Sequence, residues 1–272
     1  MKFILLFLLP IFTLHAADME MCLTQAEDFK NKNGIEAECF SLVKAAAQSE
    51  QKSSSQKIQA FAYKNFLFAE NQGQRLVIAG DKTNLGEIHS IKISQNEKWL
   101  AVIQNNADKK EILVFPTNRN GNIAPYKVYA GDEFQNIIDL AFHESLAEIY
   151  FLDGKTYDVF AVSEDSDSRM LIDSQKPIKL RSYDKNDLMV KKPSQIELTN
   201  ESLLVFDENE QKLGIIPIDK NLEKHVQNIL APGLKNNVAK IRLRDNQTLD
   251  VFTQDETEKA QIELERTKAK SE

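Results

Sequence analysis

The chain has 272 residues, with 34 Lys and Arg against 41 Asp and Glu, a formal net charge of −7, and two cysteines. No basic stripe offers a row of phosphate contacts, which argues against nucleic acid as a partner. The length suits one β domain with a short appendage.

The chain begins MKFILLFLLPIFTLHAAD. Lys2 precedes an apolar run from Phe3 to Leu14, and the small residues Ala16 and Ala17 stand before the first acid, Asp18. That order reads as a secretory signal peptide over residues 1–17. The run falls short of the about 20 residues a membrane span needs. Met19-Glu20-Met21, ahead of Cys22, lacks the small residues of a lipoprotein site. The expectation is a periplasmic or secreted protein with no membrane span after cleavage.

Residues 18–57 are rich in Ala, Glu, Lys and Gln. Thr24-Gln25-Ala26-Glu27 reads as a capping box that opens a helix, and Asn33-Gly34 as its end. A second helix is expected over 35–48, with Ile35, Cys39, Leu42, Val43 and Ala46 at helical spacing. Gln51 to Gln56 reads as a polar linker. Cys22 and Cys39 are the only cysteines. In an exported chain they are expected to pair as a disulfide that stabilises the hairpin. No Cys-x-x-Cys and no nearby His favours a redox or metal role. A regular first helix would put Cys22 out of register with Cys39, so Cys22 is placed in an extended lead-in.

From residue 58 the pattern changes. Five segments beginning at Ile58, Ile91, Ile138, Ile196 and Ile241 can be laid over one another. Each reads as a strand, a polar turn, a more apolar strand, a second polar turn and a third strand. Antiparallel repeats of about 40–50 residues mark propeller blades, because one small sheet cannot bury both its faces alone. The expected fold is mainly β: a five-blade propeller over 58–266 with a tail at 267–272. A four-bladed ring, closed by strands from both chain ends in one blade, is the alternative. At the C-terminus, Ile262 and Leu264 alternate as in a strand, so 261–265 is read as strand rather than helix.

One stretch resembles a family. Ile112-Leu113-Val114-Phe115-Pro116, then Asn120-Gly121-Asn122-Ile123-Ala124-Pro125, then Gly131, is similar to a phrase in the secreted bacterial β-propellers of the NHL and lactonase-like type. A weaker echo runs Lys176-Pro177-Ile178-Lys179-Leu180-Arg181-Ser182-Tyr183, then Pro193 to Leu198. The good match covers about one blade. It speaks to fold more than to activity, since propellers host unrelated functions. Some relatives of this fold are lactonases or lyases with acids, Asn or His around a channel-bound metal.

No site motif of those enzymes is present, and none is carried over. His89, His143 and His225 lie in three different repeats and read as surface or packing residues. Asp139, Asn105 and Asp207 are the groups that could line a channel if the reaction were of lactonase or lyase type. Trp99 is expected to pack between blades rather than serve as a ligand platform. The acids Glu164, Asp165 and Asp167 could attract calcium, but the glycine and terminal glutamate of a dedicated loop are missing, so no cofactor is expected. Gly-x-Ser-x-Gly and His-Glu-x-x-His are both absent. The function expected is protein interaction or scaffolding in the bacterial envelope, with an envelope or secreted protein as partner.

Overall fold

The computed structural model describes residues 18–26, 35–47, 49–52, 57–80, 83, 85–107, 109–118, 121, 125–143, 148–163, 178–229, 234–254 and 258–266. The expected signal peptide, Glu27, Asn33-Gly34, Asn120, Asn122 to Ala124, the acids at 164–168 and the tail at 267–272 lie outside the described residues.

Two helices come first, over 18–26 (α1) and Ala37–Ala45 (α2). Five antiparallel sheets then follow in chain order. The first holds β1 (Ser49–Lys52), β2 (Ile58–Tyr63), β3 (Phe66–Asn71) and β4 (Gln74–Ala79). The second holds β5 (Glu87–Ile93), β6 (Trp99–Asn106), β7 (Lys109–Pro116) and β8 (Lys127–Ala130). The third holds β9 (Ile137–His143), β10 (Glu148–Asp153), β11 (Val159–Ser163) and β12 (Ile178–Tyr183). The fourth holds β13 (Gln195–Leu198), β14 (Ser202–Asp207), β15 (Lys212–Pro217) and β16 (His225–Asn228). The fifth holds β17 (Lys240–Asp245), β18 (Thr248–Phe252) and β19 (Lys259–Glu263). The protein is a mainly β, five-blade β-propeller with helix near its N-terminus. Among the described residues no sheet mixes strands from the two chain ends, which replaces the four-bladed alternative.

The chain divides into two compact units. The first contains the helices and most of the first two sheets. The second contains the last three sheets together with residues 94–96 and 110–112.

In the first unit, β3 shows why its sheet is buried on both faces. Side chains alternate across a strand. Leu67 and Ala69 therefore enter a core shared with Ile91, Leu100, Val102 and Phe115 of the second sheet. Phe66 and Phe68 point the other way, into a core shared with the helices. There Phe40 of α2 meets Phe61 edge-on at 5.0 Å, and Phe61 stacks on Phe68 at 5.2 Å. Each fully buried Phe contributes about 1.5–3 kcal/mol of transfer free energy. The β3–β4 connection is a two-residue turn, with Gln72 at φ 50° and Gly73 at φ 81°. Two positive φ values match the right-handed twist of the flanking strands.

In the second unit, β14 is buried along its whole length. Leu203 and Val205 face the third sheet, while Leu204 and Phe206 face the fifth. The first strands β9, β13 and β17 lie side by side, as channel-side strands of a propeller do. In the first unit β1 lies beside β5 in the same way.

Four expectations change. Cys22 does form a disulfide with Cys39, at a Cα–Cα distance of 5.1 Å, but it does so from within α1. Cys22 and Ala26 are one helical turn apart and share the buried face of α1, so the bridge joins two packed helices and needs no extended lead-in. Thr24 does not cap the helix. It lies inside α1 and donates its hydroxyl to the Glu20 carbonyl at 2.9 Å, the back-bonding that lets Thr sit in a helix. The second helix ends at Ala45, where the N–H groups of Ala46 and Ala47 turn back to the Val43 and Lys44 carbonyls. Finally, Gln51 and Lys52 are strand rather than linker. β1 pairs with β2 from Ser49↔Ala62 to Lys52↔Gln59, and Gln51 is buried.

Candidate functional site

The residues singled out from the sequence are mostly structural. Asp139, on β9, accepts the Ile196 N–H at 2.9 Å and so ties the third sheet to the fourth. Asp207 ends β14 and is fully buried. Its Oδ2 accepts the Lys191 and Lys192 N–H groups at 3.2 and 2.8 Å, and its Oδ1 those of Asn209 and Glu210 at 3.0 and 3.1 Å. Asn105 sits on β6 opposite Glu87. His89 is exposed on β5, His143 is buried at the end of β9, and His225 is half-buried on β16. Among the described residues no three His, Cys, Asp or Glu side chains are grouped to hold a metal ion. Trp99 stacks on Tyr126 at 4.8 Å and 30°. Both belong to the second blade and Tyr126 is 57% exposed, so this ring contact is within one blade rather than between blades.

The second unit carries a cleft of about 420 Å³. Three chain segments form it. The β13–β14 turn supplies Thr199, Glu201 and Ser202; the β17–β18 turn supplies Asn246 and Gln247; the chain after β19 supplies Leu264, Glu265 and Arg266. Leu204 and Ile215 add to Leu264 as its apolar lining. Hydrogen bonds hold the segments. Thr199 Oγ1 accepts the N–H groups of Ser202 and Glu201 at 2.8 and 3.2 Å. The Asn246 side chain accepts the Asn200 N–H at 3.1 Å, and Leu264 N–H donates to the Gln247 carbonyl at 2.8 Å. Gln227 of β16 binds the last segment twice, donating to the Glu263 carbonyl at 2.7 Å and accepting from the Glu265 N–H at 3.0 Å. The cleft is thus held by hydrogen bonds, with a mostly polar lining around Leu204, Ile215 and Leu264.

Two polar clusters lie on sheet faces. In the third blade, His143 pairs across strands with Glu148, and Tyr150 lines up with Ala161 and Arg181. The Arg181 guanidinium is 4.0 Å from the Glu148 carboxylate. Burial, and after it the adjacent Glu148 carboxylate, pushes the Tyr150 phenol well above its ordinary pKa. In the fifth blade, Asp250 receives Arg244 Nε at 3.0 Å, Lys259 Nζ at 2.8 Å and Gln261 Nε2 at 3.3 Å. Burial alone would raise the Asp250 pKa, but the hydrogen bonds from Lys259 and Arg244 outweigh it and hold the carboxyl below its ordinary value. Neither cluster has a sequence signature. Glu148 and Arg181 are brought together by strand pairing alone, and Asp250 reads in the sequence as one more polar turn neighbour.

No protein family model matches the chain, and no curated protein matches its sequence. Many solved structures are similar to this chain, among them two propeller-containing ones. A nidogen–laminin complex is 13% identical over 64% of this chain and 60% of that one, with a TM-score of 0.43. Saccharomyces cerevisiae Sqt1 is 13% identical over 81% of this chain and 60% of that one, with a TM-score of 0.48. The chain therefore spans about three-fifths of the length of each.

Proposed function

We propose that this propeller is an exported protein-interaction module that takes a segment of an envelope or secreted protein in the cleft of its second unit. The carrying observation is the cleft itself: two turns and the segment after β19, locked by hydrogen bonds, around Leu204, Ile215 and Leu264. A preformed cleft lowers the ordering cost that a partner's segment must overcome on binding. Two features support export. The apolar run Phe3 to Leu14 ends in Ala16 and Ala17, and the Cys22–Cys39 disulfide belongs to an oxidising compartment. Within the propellers, the phrase from Ile112 to Gly131 supports the NHL and lactonase-like type.

The test is crosslinking of the tagged protein in its host envelope, followed by mass spectrometry, for wild type and Gln247→Trp. Gln247 is exposed at the cleft, so the indole fills the cleft without entering the core. One envelope protein should be recovered with wild type and lost with Gln247→Trp at unchanged thermal stability. Recovery of nothing above background, or of the same partner with both forms, overturns the proposal. The same spectra report the mature N-terminus, expected at residue 17 or 18.

A further inference from the structure

The fifth blade holds an imbalance of charge that the described chain does not resolve. Arg242 of β17 lies directly across from Asp250 of β18 in the strand register. Opposite charges across a strand pair attract. Here both Asp250 oxygens are already occupied, Oδ1 by Arg244 and Gln261 and Oδ2 by Lys259. The Arg242 guanidinium instead lies over the Phe252 ring, 4.8 Å from its centroid. Lys259 shares that ring at 5.5 Å. Arg242 is only 9% exposed, and its buried Nε makes no hydrogen bond. Two cations therefore hold the Asp250 carboxylate, while a third, Arg242, faces it across the strand pair with its guanidinium on the Phe252 ring.

A buried guanidinium N–H left without an acceptor is costly, and a cation–π contact offsets part of that cost. The planar fork of Arg matches carboxylate and phosphate oxygens in pairs. Arg244 and Lys259 sit on the same sheet face, so an anion at Arg242 would also feel their charge. We propose that this face of the fifth blade binds an oxyanion, a carboxylate or phosphate group, with Arg242 as its principal ligand. The site is separate from the cleft: it lies on the sheet face opposite Leu243, Leu249 and Val251, which pack toward the fourth sheet.

The test is thermal unfolding and isothermal titration of the whole protein at constant ionic strength. The probes are inorganic phosphate, succinate and a glutamate-rich peptide, with chloride as reference. The free-anion arms and the peptide arm separate a small-molecule ligand from an acidic segment of a protein. Wild type should show a saturable rise in Tm with at least one probe. Arg242→Met keeps the packing on Phe252 and removes the charge. It should weaken that binding about 10- to 100-fold, the weight of a charge-assisted hydrogen bond, and should match or exceed wild type in Tm in chloride. Arg242→Lys keeps the charge without the fork and should fall between. The proposal is overturned by any of three results: no saturable rise with any probe, an equal response from Arg242→Met, or a lower Tm for Arg242→Met in chloride, which would make Arg242 a packing residue only.

Discussion

Asp207 offers the sharpest test of whether the buried acids of this propeller are structural or catalytic. Its carboxylate accepts four backbone N–H groups, two from residues 191 and 192 and two from residues 209 and 210. Those bonds anchor the approach to the fourth sheet and the β14–β15 turn on one fully buried side chain. Asp207→Ala removes all four acceptor contacts. Lys191, Lys192 and Asn209 are exposed residues, so their N–H groups regain some water, and about 1 kcal/mol per lost bond is the apt scale. The expected loss is about 4 kcal/mol for Asp207→Ala and about 2 kcal/mol for Asp207→Asn, which keeps one carbonyl oxygen but turns an NH2 group toward two donors. Urea unfolding followed by far-UV circular dichroism measures this as a lower midpoint with unchanged slope. Losses below about 0.5 kcal/mol in both variants would refute the structural assignment. An increase in stability would point instead to a functional acid held at a cost to the fold.

Further outcomes follow from the packing and the charges. Phe61→Ala empties the ring site between Phe40 and Phe68 and should cost about 3–5 kcal/mol in the same assay. Replacing Cys22 and Cys39 together with Ser opens the loop closed by their bridge and should cost about 3 kcal/mol; reducing wild type with dithiothreitol should lower its Tm while leaving the double variant unmoved. Gly86→Ala would press a Cβ onto the Asn105 carbonyl and should cost about 1–3 kcal/mol, with far-UV signal retained at low temperature. Asp250 titrates below its ordinary value when folded. Its contribution is therefore complete above about pH 4 and is lost as pH falls through the folded value. The stability gap between wild type and Asp250→Asn should narrow as pH falls below about 4; a gap that stays constant would count against this charge pairing.

The apolar second strands were readable in the sequence for a definite reason. Leu203 to Phe206 and Leu100 to Ile103 are buried on both faces, so their apolar runs are continuous and stand out from the polar turns around them. The disulfide was readable because the chain has two cysteines and an export-like start. β1 was not. Its residues Ser49-Glu50-Gln51-Lys52 carry no strand signal, and only pairing with Ile58–Tyr63 makes them a strand, a case of tertiary context overriding propensity. Phe40 was passed over because an aromatic in a helix looks like any other, and its meaning comes from Phe61 across the interface.

The amino-acid sequence by itself determined the class of the molecule: repeated β segments, a helical start and a paired Cys22 and Cys39. Periodicity and turn chemistry act over a few residues, so they survive in a one-dimensional reading. The cleft, the role of Asp207 as a backbone anchor and the pairing of Arg244 and Lys259 with Asp250 were decided only by tertiary structure. Each depends on strand register and on segments such as 199–202 and 264–266 meeting in space, and no local pattern encodes that meeting.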